Sequence, residues 1–226
     1  MDLAERHVVI TGAAGGLGPA VVDAMLSAGA ICHLPVRRDG DRLPRHARIL
    51  AVEGVDLADE AAVTSFYARC PPLWASIHVA GGFKAALIAE TSLVDLRAQL
   101  DVNLATAFLC SREAVRNMRL RAAGGRIVNV SSRAATVATG FSVAYTASKA
   151  AVSAMVRALA DEVADDRILV NAVLPGTIDT PANRAAMPDA DHRRWTKPAD
   201  IASVIAWLVS PAQTVTSGAL VPVGWT

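Results

Sequence analysis

The 226-residue chain is poor in several things, and each shortage closes off a class of function. Cysteine is scarce: Cys32, Cys70 and Cys110 are odd in number, widely spaced and set among apolar neighbours, which points to buried thiols and away from a disulfide framework or a metal site. Long hydrophobic runs are missing as well. The stretch from Ile201 to Val209 spans nine residues and is interrupted by Ala202, Ser203 and Ala206, whereas a membrane helix needs roughly 20. The opening residues carry Asp2 and Glu5 where a secretion signal would carry positive charge, so a cytoplasmic protein with no membrane partner is expected. Charge of one sign is not in excess either. Lys plus Arg total 22 against 21 Asp plus Glu, and a net charge of +1 supplies no field to draw in a nucleic-acid backbone, so no nucleic-acid partner is expected.

What the chain does have is apolar material: 53% of its residues are hydrophobic and 19% charged, ample to bury a core. The length fits a single domain over residues 1–226. Short aliphatic and β-branched runs recur at 8–11, 31–36, 49–52, 77–80, 127–130, 169–174 and 220–223, and read as strands. Between them lie longer stretches with apolar residues three and four apart, such as Val152, Met155, Val156, Leu159 and Val163, which read as helices. Strands apolar on both faces and alternating with helices predict an α/β fold: a doubly wound parallel sheet of about seven strands with helices on both faces. Two stretches look irregular, 37–48 and about 175–198. The second follows a strand and is a candidate cover for a ligand, with a short substrate loop at about 177–197, because ligands of open α/β sheets lie beyond the carboxyl ends of the strands.

The first strand runs into Thr11-Gly12-Ala13-Ala14-Gly15-Gly16-Leu17-Gly18 and then into a helical face made by Ala20, Val21, Ala24, Met25 and Leu26. Glycines let the backbone turn tightly and approach a pyrophosphate, and the free N–H groups at the helix start favour its charge. Pro19 is tolerated there because first-turn N–H groups lack intrahelical partners. The same glycines could form a plain flexible turn. In dinucleotide folds an acid about 20 positions on holds the ribose of NAD, and an arginine suits the phosphate of NADP. Here the second strand ends Val36-Arg37-Arg38-Asp39, which favours NADP(H) over NAD(H), unless the two arginines are only solvated surface charges.

With two tyrosines and three lysines in the chain, a Tyr-x-x-x-Lys pair is expected by chance roughly 0.03 times. One occurs, Tyr145 and Lys149. Four residues apart on a helix they share a face, so the ammonium can lie near the phenol or near a group bound between them. A cation about 4 Å away at an effective dielectric near 20 favours phenolate by up to roughly 4 kcal/mol before desolvation is subtracted, about three pKa units. The strand 126–130 ends in Ser131 and Ser132, where a hydroxyl could meet a substrate carbonyl or simply cap the turn.

These motifs together resemble the short-chain dehydrogenase/reductase family with its single Rossmann-type domain, over nearly the whole length. The family's Thr-Gly-x-x-x-Gly-x-Gly turn matches Thr11, Gly12, Gly16 and Gly18, with Leu17 between them. Its tetrad of Asn, Ser, Tyr and Lys matches Asn103, Ser132, Tyr145 and Lys149, the spacing selecting Ser132 over Ser131. The resemblance also implies adenine contacts from Asp56 and Leu57, small residues against the cofactor at Ala80 and Gly81, and a nicotinamide-side turn at Pro175-Gly176 followed by Ile178 and Thr180. Two departures stand out. The usual Asn-Asn-Ala-Gly is His78-Val79-Ala80-Gly81, and the usual Val-Asp-Gly-Gly near the end is Val221-Pro222-Val223-Gly224. A histidine inside a strand is more often a hydrogen-bonded core residue than a catalyst.

What the resemblance implies is hydride transfer between a nicotinamide cofactor and a small-molecule carbonyl or alcohol. Ser132 would orient the carbonyl oxygen, Tyr145 supply the proton, Lys149 lower the tyrosine pKa and bind ribose hydroxyls, and Asn103 hold a relay water. It also implies a homo-oligomer, tetramer or dimer, paired through the Tyr145 helix and a helix from about 91 to 118. Two rivals remain. An enoyl reductase of the same fold would show a wider Tyr-x6-Lys spacing, but the residue there is Val152. A sensor or scaffold could bind NADP without chemistry. Met187, His192 and Trp195 could line a substrate pocket or merely anchor their loop.

Overall fold

The computed structural model describes residues 2–37, 43–120, 123–137 and 140–224. Seven parallel strands form one sheet: β1 (His7–Thr11), β2 (Ile31–Pro35), β3 (Ile49–Val52), β4 (Ala75–His78), β5 (Gly125–Val130), β6 (Ile168–Pro175) and β7 (Leu220–Val223). Their spatial order is β3-β2-β1-β4-β5-β6-β7, so the chain winds outward from β1 to β3, returns to β4 on the other side of β1, and winds outward again. The expected doubly wound Rossmann-type sheet is present.

Period-two alternation along these strands feeds two cores. Val8, Ile10, Leu34, Ile77, Val128 and Val173 pack on one face with α1 (Gly18–Ser27) and the helix Pro198–Val209. Val9, Ile127, Val170 and Leu174 pack on the other face with α2 (Glu60–Ala68) and the helices Thr106–Arg119 and Val143–Glu162, around Phe66, Tyr67 and Val156. Each fully buried aliphatic side chain contributes about 1.5–3 kcal/mol, which is why the strands are apolar on both sides.

The helix expected from about 91 to 118 is interrupted. It consists of α3 (Leu93–Leu100), one wide π-helical turn over Asp101–Ala105, and α4 (Thr106–Arg119). It starts with a capping box, in which Ser92 accepts from the Asp95 N–H and Asp95 accepts from the Ser92 N–H. α5 (Val143–Glu162) is the longest helix described. The stretch after β6 is less irregular than expected: Thr180 caps α6 (Pro181–Ala186), a 3-10 turn covers His192–Arg194, and a bridge joins Ile178 to Thr196 before α7 (Pro198–Val209). The fourth strand also ends earlier than the sequence suggests, at His78. Past that point the Ala80 N–H donates to the Thr11 hydroxyl, a side chain replacing the ladder partner.

Candidate active site

In an all-parallel sheet the residues just beyond each strand collect at one rim, and the gap between β1 and β4 is where the winding direction reverses. The glycine turn follows β1, Arg37 follows β2, Asp56 and Leu57 follow β3, Ala80 and Gly81 follow β4, Ser132 follows β5, and Gly176 follows β6. The residues selected from sequence therefore share that rim, with one exception: Arg38 lies outside the described residues. Arg37 is solvent-exposed. Asp56 is exposed and its carboxylate accepts from the Ala58 N–H, while Leu57 packs partly into the core.

Close approach explains the glycines. Gly12 has φ +68°, and a Cβ there would stand 2.6 Å from the Ala80 nitrogen, so this glycine seats the turn against the end of β4. A Cβ on Gly18 would collide with the Gly12 carbonyl, and one on Gly16 would lie 2.8 Å from Thr180 Cγ2. The turn thus packs inward on itself and sideways onto the segment after β6. The first turn of α1 carries no side-chain cap, because Leu17 at the N-cap position is buried and apolar, and Ala14, Gly15 and Gly16 are exposed at the rim. Uncapped N–H groups beside exposed small residues suit an anionic group such as a pyrophosphate. The residues present fit a dinucleotide.

Across the reversal point, four side chains converge. Asn103, on the π turn, is buried. Its amide donates to the Gly82 carbonyl (3.0 Å) and to Ser148 Oγ (3.1 Å), and its Oδ1 accepts from the Gly82 N–H (3.0 Å). It thereby ties the segment after β4 to α5. The Lys149 ammonium is buried and donates to the Val130 carbonyl at 2.9 Å, and burial pushes its pKa down to about 8. Tyr145, half-buried one turn earlier, has the Ser132 hydroxyl as its polar neighbour. Burial pushes the phenol up and the Ser132 contact pulls it down. The direct electrostatic lever expected from Lys149 on Tyr145 is not among these causes, because the ammonium is directed at the end of β5. A Cβ on Gly81 would stand 2.8 Å from Asn103 Oδ1 and 3.1 Å from Lys149 Nζ, so the glycine keeps this corner open.

The two serines separate. Ser131 is internal: its hydroxyl donates to the Lys149 carbonyl at 2.9 Å and pairs with Ser153 Oγ at 2.8 Å. Ser132 lies beside Tyr145 and caps the following 3-10 turn, accepting from the Ala134 N–H, so the capping reading of it holds. Pro175 ends β6, Ile178 is held by its bridge to Thr196, and Thr180 Oγ1 accepts from the Asn183 N–H at 3.2 Å. Residues not anticipated from sequence are Ser148 and Gly82, which hold Asn103, and Phe83, whose ring meets Tyr145 edge-on at 4.8 Å and 85°. Ser148 carried one usable signal, its place three residues after Tyr145, on the helical face of that side chain.

His78 is a buried, hydrogen-bonded core residue. Tyr67 Oη, Ser76 Oγ, His78 and Asn129 Oδ1 form a chain with links of 2.8, 2.9 and 3.1 Å, and burial pushes the imidazole down to about 4. The loop residues also serve their own loop: the His192 ring meets that of Trp195 at 4.3 Å, tilted by 49°, and pairs with the Met187 carbonyl at 2.9 Å. The cysteines are free thiols, with burial raising Cys32 and Cys110 to about 12. No helix among the described residues is long and apolar enough to cross a membrane.

Known proteins resemble this chain. The chain is 33% identical to a cis-4-hydroxycyclohexanecarboxylate dehydrogenase of Sinomonas cyclohexanicum, over 97% of this chain and 95% of that protein. It is 28% identical to a 2,5-dichloro-2,5-cyclohexadiene-1,4-diol dehydrogenase of Sphingobium indicum, over 96% and 94%. A solved structure described as a short chain dehydrogenase/reductase family protein superposes with a TM-score of 0.91 at 26% identity, covering 99% of this chain and 97% of the other. The sequence model described as short chain dehydrogenase matches residues 6–191, and with the seven-stranded sheet and the glycine turn it identifies the chain as an oxidoreductase of the short-chain dehydrogenase/reductase family.

Proposed function

We propose that the protein transfers hydride reversibly between a nicotinamide dinucleotide, NADP(H) in preference to NAD(H), and a carbonyl or secondary alcohol, within a single nucleotide-binding unit over 1–226. The observation that carries the reading is the placing of Tyr145 beside Ser132 at the carboxyl rim, with the buried Lys149 one turn further along α5. When bound, the dinucleotide supplies or accepts the hydride. Ser132 directs the substrate oxygen toward Tyr145 and stabilises the negative charge that develops on it. Tyr145 gives that oxygen its proton in the reducing direction and takes it back in the oxidising one. Lys149 contributes a cation next to the ribose, and Asn103 positions the segment after β4 against α5, where a relay water is held. Thr11, Gly12, Gly16, Leu17, Gly18, Ala80, Gly81, Pro175, Gly176, Ile178 and Thr180 shape the dinucleotide groove, with Asp56 and Leu57 at the adenine end.

Arg37, exposed just past β2, supports the preference for a 2′-phosphate. KM measured for NADPH and NADH settles that part, and a lower KM for NADH removes it. The names of the two relatives above describe ring alcohols, which supports a cyclic alcohol or ketone as the first substrate to assay. Tyr145→Phe keeps the fold and the cofactor affinity and lowers kcat by about 10²–10⁴, the usual worth of a general acid. An unchanged kcat refutes the assignment. Tight NADPH binding with no turnover of any carbonyl or alcohol points instead to a sensor or scaffold. A cytoplasmic location is part of the same reading, supported by the three unpaired thiols. So is assembly into a homodimer or homotetramer through α4 and α5.

A further inference from the structure

Next to Ser132 stands a cation that the hydride-transfer chemistry does not use. Arg133 opens the 3-10 turn after β5 and is half-buried. The hydrogen bonds described for it are made by its backbone carbonyl, which accepts from the Thr136 and Val137 N–H groups and the Thr136 hydroxyl. None of the ion pairs among the described residues includes its guanidinium. Its stem lies over Gly176: a Cβ on that glycine would stand 3.7 Å from Arg133 Cδ, and no other atom comes within 4 Å. The side chain therefore runs from the end of β5 toward the end of β6, above the turn that follows β6.

On the other side of Ser132, beyond β4, Phe83 is 65% exposed and set edge-on to Tyr145 at 4.8 Å. Because the sheet order is β4-β5-β6, the aromatic wall and the guanidinium flank the Ser132–Tyr145 pair from opposite sides. A guanidinium stays charged at any working pH, and partly burying one without an anion costs solvation that a carboxylate restores through paired N–H donors. An exposed aromatic ring beside the reacting hydroxyls likewise gains by covering an apolar body.

We propose that Arg133 is a specificity-determining residue, so that the preferred substrate is a ketone or secondary alcohol with an apolar body and a carboxylate, the carboxylate paired with Arg133 and the apolar body against Phe83. This rests on the hydride-transfer reading above and narrows its substrate class. A planar anion on a forked donor fixes which end of the substrate faces β6 and so which carbon meets Ser132 and Tyr145.

The test is a panel of keto acids, 4-oxocyclohexanecarboxylate among them, each assayed beside its methyl ester with NADPH. The expected result is a kcat/KM for acids about 10- to 100-fold above that of their esters, as a charge-assisted pair contributes. Arg133→Gln should bring the ratio to about one, Arg133→Lys should restore part of it, and the effect should lie in KM more than in kcat. The inference is overturned if the wild-type enzyme turns over esters as well as acids, or if the preference survives in Arg133→Gln. It is overturned equally if Arg133→Gln weakens NADPH binding measured by fluorescence titration, since the guanidinium would then serve the dinucleotide. Those outcomes leave the hydride-transfer reading intact. Failure of the wild-type enzyme to turn over any acid, ester or neutral ketone removes both.

Discussion

Gly81 shows how much a single missing methyl group does here. Its Cα sits where a Cβ would press on Asn103 Oδ1 at 2.8 Å and on Lys149 Nζ at 3.1 Å, and neither neighbour is free to retreat, since Asn103 is bonded to Gly82 and Ser148 and Lys149 to Val130. Gly81→Ala is expected to move the lysine or the amide by a few tenths of an ångström and to lower kcat about 10- to 100-fold with little change in Tm. Steady-state kinetics beside a thermal melt checks it, and a fully active variant shows that the corner tolerates a side chain. Lys149 itself predicts a pH profile. Burial holds its pKa near 8, while the Tyr145 phenol is raised and stays protonated well above neutrality. The rate of carbonyl reduction, which needs both protons in place, is therefore expected to be level up to about pH 8 and to fall above it. A fall beginning only beyond pH 10 excludes this role for the ammonium. These residues were legible from sequence because Tyr145 and Lys149 are rare types at a helical spacing and the glycines sit between a strand and a helix. Phe83 was not legible, because a lone aromatic has no periodicity that separates a site from a surface, and Ser148 offered only its helical spacing from Tyr145.

At the scale of elements, the strands were the clearest feature, since continuous β-branched runs buried on both faces leave no other reading. The π turn was hidden. Apolar spacing continues from α3 through Leu104 into α4, and one extra residue in a turn changes no composition, yet it is this turn that carries Asn103. Wide turns of this kind are often retained at functional positions. The sequence also concealed α6, whose six residues are too few for a periodic signal. The pairing of β4 with β5 carries a further prediction. His78 and Asn129 are opposed in register, and burial holds the His78 pKa near 4. On β2, burial and the neighbouring His7 hold His33 near 4 as well. Both values lie below the unfolded value near 6.5, so the unfolded chain binds the proton first. Stability is complete above about pH 6.5 and is lost as the pH falls toward 4, by up to about 3 kcal/mol for His78. His78→Asn, which keeps an amide in the chain of hydrogen bonds, should lose less Tm between pH 7.5 and pH 5 than the wild-type protein. Equal losses in the two proteins exclude His78 as a source of the acid sensitivity.

For the whole molecule, the winding order gathers the candidate site at one rim and leaves the flanks of the sheet open. α5 has two jobs on two faces: Ser148, Lys149, Val152 and Val156 are buried inward, while Met155 looks out beside α4. There the surface dips into an apolar depression of about 460 Å³ lined by Leu100, Asp101, Leu104, Ala105, Phe108 and Met155, and Phe108 is 51% exposed. A patch of this kind costs free energy in water, and a second copy of the same surface related by a two-fold axis would cover it with side chains of matching character. The helices that line it also carry Asn103, Tyr145 and Lys149. Pairing through this face would brace the corner of the proposed site from behind. Size-exclusion chromatography with light scattering should therefore give a dimer or tetramer, and Phe108→Asp, which places a charge at the centre of the covered face, should shift the mass toward the monomer. The monomeric variant should lose Tm and kcat together, because the same two helices bear both the contact and the reacting groups. A wild-type protein that runs as a monomer at micromolar concentration, or a Phe108→Asp variant that stays assembled, assigns this depression to something other than a subunit contact.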